Sequence, residues 1–242
     1  MEEKAVKEKE AATGTSQKMT GAEAVIRSLL HENVEQIFGY PGGSNMPIYD
    51  ELYDYLDKID HLLVRHEQGA AHAAEGYAKA TGKPAVVFTT SGPGATNLIT
   101  GIANANIDSA PMICITGQVK SGTLGSDAFQ ETDVMNITSP ITKWNFQVTE
   151  AEEIPEVIAK AFHIATTGRK GVVVIDITKD AQMNTIDFVY KPYKKLRTYQ
   201  PDKAISPQQV EKAAYFISQA KKPLALVGHG VILGEAEEEL KA

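Results

Sequence analysis

Short runs of consecutive apolar residues alternate along this chain with segments in which apolar residues return every three or four positions. Gly21 to His31 is the first helical segment, with Ala24, Val25, Leu29 and Leu30 on one face and Thr20 as its N-cap. A short strand, Val34 to Phe38, leads into Gly39-Tyr40-Pro41-Gly42-Gly43. The pattern then predicts a helix around Met46 to Leu56, a strand at His61 to Val64, and an Ala-rich helix from Glu67 to Ala80, closed by Gly82 and Pro84. Ala85 to Thr89 reads as a buried strand, Ala95 to Ala105 as a helix and Pro111 to Thr116 as another buried strand. Ile154 to Thr166 is helical, and Gly171 to Ile177 is the most β-branched strand.

Strands that are apolar throughout and separated by helices imply a parallel sheet covered on both faces. The predicted fold is therefore α/β, a doubly wound parallel sheet over residues 19–185. Residues 186–205, polar and rich in Lys, Tyr and Pro, read as a linker. From 206 a second α/β unit begins, with a helix from Pro207 to Gln219, a strand Leu224 to Val227, the turn Gly228-His229-Gly230 and a helix that stops at Ala242. One strand and two helices cannot bury a core, so 206–242 is expected to be the truncated start of a further domain.

Composition narrows the setting. Of 242 residues, 43% are hydrophobic and 23% charged, with a formal net charge of −7, which is ordinary globular composition. The acidic excess argues against nucleic acid as a partner. No apolar run approaches the ~20 residues needed to cross a bilayer, so no membrane partner is expected. Residues 1–18 are rich in Glu, Lys and Ala and lack the apolar core of a signal peptide, so they are expected to be a disordered tail. The single cysteine, Cys114, fits a reducing compartment, and the expected location is cytoplasmic.

In an open parallel sheet, ligands collect outside the carboxyl ends of the strands, and four loops meet that condition. Tyr40-Pro41-Gly42-Gly43 allows close backbone approach to a ligand, and equally fits an ordinary tight strand-to-helix turn. Glu67 stands where a strand meets a helix of small residues, either near the ligand crevice or simply as a first-turn carboxylate favoured by the helix dipole. His66 and His72 lack a metal partner set and read as packing residues, and no metal ligands are expected. Thr90-Ser91-Gly92-Pro93-Gly94-Ala95-Thr96-Asn97 joins a strand to a helix N-terminus but has neither the lysine of a P-loop nor dinucleotide-fingerprint spacing. The loop from Gly117-Gln118 through Asp127-Ala128-Phe129-Gln130-Glu131 is long and glycine-bearing, with a phenylalanine beside an amide, as in substrate-facing loops.

These motifs, with Arg65-His66-Glu67-Gln68-Gly69-Ala70 and Thr116-Gly117-Gln118-Val119, stand in an order and spacing that resembles the acetolactate (acetohydroxyacid) synthase large subunit, a thiamine-diphosphate enzyme. The resemblance covers about residues 19–242. Glu67 and the Gly-Pro-Gly turn match thiamine-diphosphate enzymes generally, while Asp127–Glu131 and Thr142-Lys143-Trp144-Asn145 match the acetolactate synthases. It implies that 19–185 is a pyrimidine-binding domain. Glu67 would be the catalytic glutamate at N1′ of the aminopyrimidine, assisting proton removal from the thiazolium C2. Tyr40, Pro41, Gly42, Thr90, Pro93 and Asn97 would line the pyrimidine pocket. Phe129 and the catalytic Gln130 would sit beside the reacting two-carbon unit.

The resemblance further implies FAD, held by Arg169, Gly228 and Gly230, although a loop arginine and a strand-end turn explain those residues as well. The implied reaction decarboxylates pyruvate and joins the remainder to a second 2-ketoacid, pyruvate or 2-ketobutyrate, in branched-chain amino-acid biosynthesis. Implied partners are further copies of the chain, associating through the pyrimidine domain, and a small regulatory subunit. In this family a C-terminal domain with a Gly-Asp-Gly…Asn motif holds the diphosphate and its Mg²⁺. That motif is absent here, so the 242-residue chain alone is expected to be inactive. The alternatives are another thiamine-diphosphate enzyme of the pyruvate oxidase type, or a non-catalytic truncated subunit that only binds partner subunits. Glyoxylate carboligase is disfavoured because it lacks the family glutamate.

Overall fold

The computed structural model describes residues 17–201 and 205–242, so most of the expected tail lies outside the described residues. The described residues fall into two units that divide between Lys194 and Lys195.

The first unit runs β1 (Gln17–Thr20), α1 (Gly21–His31), β2 (Gln36–Gly39), α2 (Met46–Tyr53), β3 (Asp60–Leu63), α3 (Glu67–Thr81), β4 (Ala85–Thr89), α4 (Pro93–Thr96), α5 (Ile99–Ile107), β5 (Met112–Gln118), α6 (Val134–Thr138), β6 (Trp144–Val148), α7 (Ile154–Thr166), β7 (Val172–Thr178), α8 (Lys179–Met183) and β8 (Thr185–Phe188). Six strands form one parallel sheet in the order β3-β2-β4-β5-β7-β6.

Alternation along the strands gives the sheet two apolar faces. Ala85 and Val87, Met112 and Cys114, and Val172 and Val174 join Ala70, Ala71, Ala74, Leu98 and Ile102 of the helices in one buried cluster. Val86 and Phe88, Ile113 and Ile115, and Val173 and Ile175 point to the opposite face and are equally buried. There α1 packs with α2 and α7, while α3 and α5 pack together on the first face. The sheet is therefore covered on both sides, as the continuous apolar runs predict.

Local chemistry fixes the helix starts. Thr20 Oγ1 accepts from the Glu23 amide at 3.0 Å and donates to Glu51 Oε1 at 2.9 Å, so it caps α1 and ties it to α2. Thr20→Ala is expected to cost about 1 kcal/mol, read as a lowered urea midpoint with an unchanged slope. α3 starts at His66, whose Nδ1 accepts from the Gln68 amide, and ends at Gly82 in the left-handed conformation, φ 71°.

Several expectations are corrected. The helix read as Ala95–Ala105 is two helices, broken at Asn97 and Leu98, where the Leu98 amide bonds back only three residues, to Ala95. The strand at His61–Val64 is the sheet edge, with Leu62 and Leu63 exposed. Gln17 and Lys18, placed in the tail, and residues 186–188, placed in the linker, pair as β1 and β8 in a separate two-stranded antiparallel sheet. The unit thus extends at both ends beyond 19–185.

The second unit contains α9 (Pro207–Gln219), α10 (Gly230–Leu233) and α11 (Glu237–Lys241). α9 is capped by Ser206, and every one of its residues is exposed, including Val210, Tyr215, Phe216 and Ile217. The expected strand Leu224–Val227 is irregular backbone. A strand exists only with a neighbour to bond to, and among the described residues of this unit there is no strand to pair with it.

Candidate functional site

β2 and β4 are neighbours in the sheet, yet the helix that follows β2 lies on one face and those that follow β4 lie on the other. The loops leaving these two strands therefore part at their carboxyl ends, the usual place for a ligand crevice. Both loops are tied at the base. The Tyr40 amide donates to Phe88 O at 3.1 Å, the Ser44 amide donates to Thr90 Oγ1 at 3.2 Å, and the Ser44 and Ser91 hydroxyls lie 2.7 Å apart. Buried Asn45 accepts from the Gly42 amide at 2.7 Å, fixing the Tyr40-Pro41-Gly42 turn. Tyr40 and Pro41 are exposed on it. A Cβ on Gly42 would lie 2.5 Å from Thr90 Cβ, so only glycine lets the turn sit this close.

Glu67 opens α3 beside this crevice and is only 8% exposed. Asn97 Nδ2, from the bend between α4 and α5, donates to its Oε2 at 2.9 Å. No hydrogen bond reaches Oε1 among the described residues. A Cβ on Gly94 would lie 3.3 Å from Oε1 and 2.7 Å from Thr90 Cγ2. Glu67, Thr90, Gly94 and Asn97 thus pack around one half-fixed carboxylate, at a spot too tight for any side chain at position 94. Pro93, exposed, starts the short helix that carries Gly94.

The loop bearing Phe129 and Gln130 reaches the same place. A Cβ on Gly92 would stand 2.5 Å from Gln130 O, and Gly92 itself has φ 56°. Asp127 and Gln130 adopt left-handed backbone too, φ 57° and 58°, which costs a non-glycine residue roughly 1–2 kcal/mol each. The Glu131 carboxylate offsets this by accepting the amides of Gly125 and Ala128, and those bonds hold its carboxyl below the usual range. Phe129 is left 88% exposed at the tip.

Arg169 is not part of this group. It precedes β7, at the amino end of the sheet, and donates to Ser109 Oγ at 2.9 Å and Ile107 O at 2.8 Å. Gly228 and Gly230 belong to the second unit, where a Cβ on either would meet nothing within 4 Å. Among the described residues no three His, Cys, Asp or Glu side chains gather as a metal site. In the Thr142–Asn145 motif, Lys143 donates to Ile164 O and Thr167 O, while Asn145 donates to Met135 O and Thr138 Oγ1. That motif clamps α6 and the end of α7 to β6.

Two further groups near the site carry no motif in the sequence. Lys179, just past β7, donates to Gly43 O at 2.9 Å and braces the Tyr40–Gly43 turn. Asp176 is fully buried at the carboxyl end of β7, and burial pushes its carboxyl up to about 6 against the pull of its hydrogen bonds. Its one visible sign was a charge inside the apolar run Val172–Ile177.

Residues 19–137 match the family described as thiamine pyrophosphate enzyme, N-terminal TPP binding domain. The chain belongs to the thiamine pyrophosphate enzyme family. Within it, the chain is 54% identical over 226 residues to the acetolactate synthase large subunit of Corynebacterium glutamicum, covering 93% of this chain and 36% of that protein. It is 52% identical to the probable acetolactate synthase large subunit of Methanocaldococcus jannaschii, over 92% of this chain and 38% of that protein. The large subunit of Haemophilus influenzae is 50% identical, with 92% and 39% covered. The chain therefore spans well under half the length of these relatives. Among the described residues no helix is long and apolar enough to cross a membrane.

Proposed function

We propose that this chain forms the pyrimidine-binding side of a thiamine-diphosphate-dependent acetolactate synthase, which decarboxylates pyruvate and joins the two-carbon remainder to a second 2-ketoacid, pyruvate or 2-ketobutyrate. The observation that carries this reading is Glu67, a buried carboxylate with Oε2 held by Asn97 and Oε1, beside Gly94, without a hydrogen bond among the described residues.

The residues fit the aminopyrimidine. A flat ring needs backbone that can approach it closely, which glycine at 42 and 94 allows, and a proton-exchanging partner, which Glu67 Oε1 offers. A positioned carboxyl of this kind can hold a proton at the pyrimidine N1′ and take it back. Asn97 keeps the other oxygen from turning into that role. Backbone groups of Tyr40, Pro41 and Gly42 would line one edge of the crevice, with Thr90 and Pro93 opposite. Phe129 and Gln130, brought to Gly92, would present an apolar ring and an amide to the substrate. When bound, the thiazolium of thiamine diphosphate supplies the electron sink for decarboxylation.

Mg²⁺ would accompany the diphosphate, held outside the residues described here. FAD belongs to the same reading, with Arg169 of the first unit and Gly228 and Gly230 of the second as the residues that would hold it. The same reading includes self-association through the first unit, a regulatory subunit, a cytoplasmic setting and 206–242 as the start of a central domain.

The protein carrying this chain, given pyruvate, thiamine diphosphate and Mg²⁺, is expected to form acetolactate, followed colorimetrically after acid conversion to acetoin. Acetate as the product would move it to the pyruvate oxidase type, and no turnover would leave a subunit that only binds partners.

A further inference from the structure

We infer that Asp176 is a positioning residue for the substrate loop: its buried carboxylate sets the orientation of Gln118, which clasps the two ends of the Val119–Glu131 segment. The functional side of this inference rests on the reading that Phe129 and Gln130 face the substrate.

The argument begins with register. Thr116 of β5, Asp176 of β7 and Gln147 of β6 are side by side across three parallel strands, and Gln118 stands two residues beyond Thr116. All four share a face, the one that carries Cys114 and Val174. Thr116 Oγ1 donates to Asp176 Oδ1 at 2.5 Å; Gln118 Nε2 at 3.0 Å and Gln147 Nε2 at 2.8 Å both donate to Oδ2. Every partner donates a hydrogen bond to Asp176.

The chemistry of Gln118 then follows. An amide side chain can flip its oxygen and nitrogen, but an ionised carboxylate accepts only, so the nitrogen must face it. With Nε2 so held, its second N–H reaches Thr132 O at 3.0 Å, and Oε1 accepts from the Val119 amide at 2.9 Å. One buried amide thus grips the first residue of the loop and the residue just after its last. A flipped amide would set oxygen against the Thr132 carbonyl and N–H against the Val119 N–H, breaking both grips. Asp180 adds a separate anchor by accepting from Ser121 N and Oγ. The tip carries left-handed Asp127 and Gln130, strain that persists only where the surroundings impose it. A buried carboxylate is an unfavourable choice for stability alone.

Asp176→Asn keeps the shape but offers one accepting oxygen where three donors converge. Amide hydrogen exchange on the full protein is expected to show at least a tenfold loss of protection across Val119–Thr132, with β4 and the amino half of β5 changed less than threefold. Gln118→Met, which leaves Asp176 with Thr116 and Gln147, is expected to loosen the same segment, and it carries the test if the Asn variant does not fold. KM for pyruvate is expected to rise more than kcat falls. Unchanged exchange in the loop of a folded variant, or a loss spread evenly over the sheet, would overturn the inference. A loosened loop with unaltered KM would support the clasp and count instead against Phe129 and Gln130 as substrate-facing residues.

Discussion

Glu67→Gln is expected to slow hydrogen–deuterium exchange at the thiazolium C2 of bound thiamine diphosphate by ~10²–10⁴-fold, the usual worth of a positioned acid or base. Glutamine keeps the volume of the side chain, and its carbonyl can still accept from Asn97 Nδ2. What it replaces is Oε1, the oxygen beside Gly94, by an amide nitrogen that cannot exchange a proton with N1′. Removing a first-turn carboxylate from α3 also forfeits its interaction with the helix dipole, about 0.3–1 kcal/mol, so the variant should fold normally. The effect should therefore appear in the exchange rate far more than in stability. Quenched-flow NMR of the cofactor reads the step directly, and exchange at the wild-type rate would remove Glu67 from proton transfer.

A second large effect is expected in how stability depends on pH. Asp176 has its carboxyl raised from 3.8 to about 6, chiefly because burial penalises the charged form, with Asp133 adding repulsion and Thr116, Gln147 and Gln118 opposing through hydrogen bonds. The folded state thus binds this proton more tightly than the unfolded chain does. Its contribution to stability is full below about 3.8 and is lost as pH rises through about 6. Other groups titrate in the same window, so wild type must be compared with Asp176→Asn, which shares them all. From pH 7 to pH 4, wild type should gain about 2–3 kcal/mol relative to the variant. Urea unfolding at four or five pH values would show it as a widening gap in favour of wild type. A constant gap would mean that Asp176 is not buried as an isolated acid.

Much of the fold could be read from the chain because local and tertiary demands coincide there. Ala85–Thr89, Ile154–Thr166 and the Thr20-capped helix Gly21–His31 appear with the residues that the pattern predicts. Trp144–Val148 escaped notice as a strand because it is a half-buried edge, with polar Asn145 and Gln147 between apolar residues. β1 and β8 were missed for another reason: neither is stable without the other, and their pairing joins opposite ends of the unit.

The site divides in the same way. Tyr40–Gly42, Glu67, Thr90–Asn97 and Gln130 could be grouped from sequence because the carboxyl ends of parallel strands must lie at one end of a sheet. Arg169 precedes its strand rather than following it, and so lies at the other end. Asp176 stayed hidden because its three partners come from two strands that only the sheet order brings beside it.

The lone thiol makes the centre of the sheet observable. Cys114 lies in β5, between Val87 of β4 and Val174 of β7, with no exposed surface. Burial there pushes its ionisation far above the ordinary thiol range, and the thiolate is the form that reacts with alkylating reagents. Fraying of edge strands or movement of the substrate loop does not uncover it. Thiol labelling under native conditions is therefore a clock for opening of the central strands alone. Among residues 1–242 Cys114 is the one thiol able to report that opening.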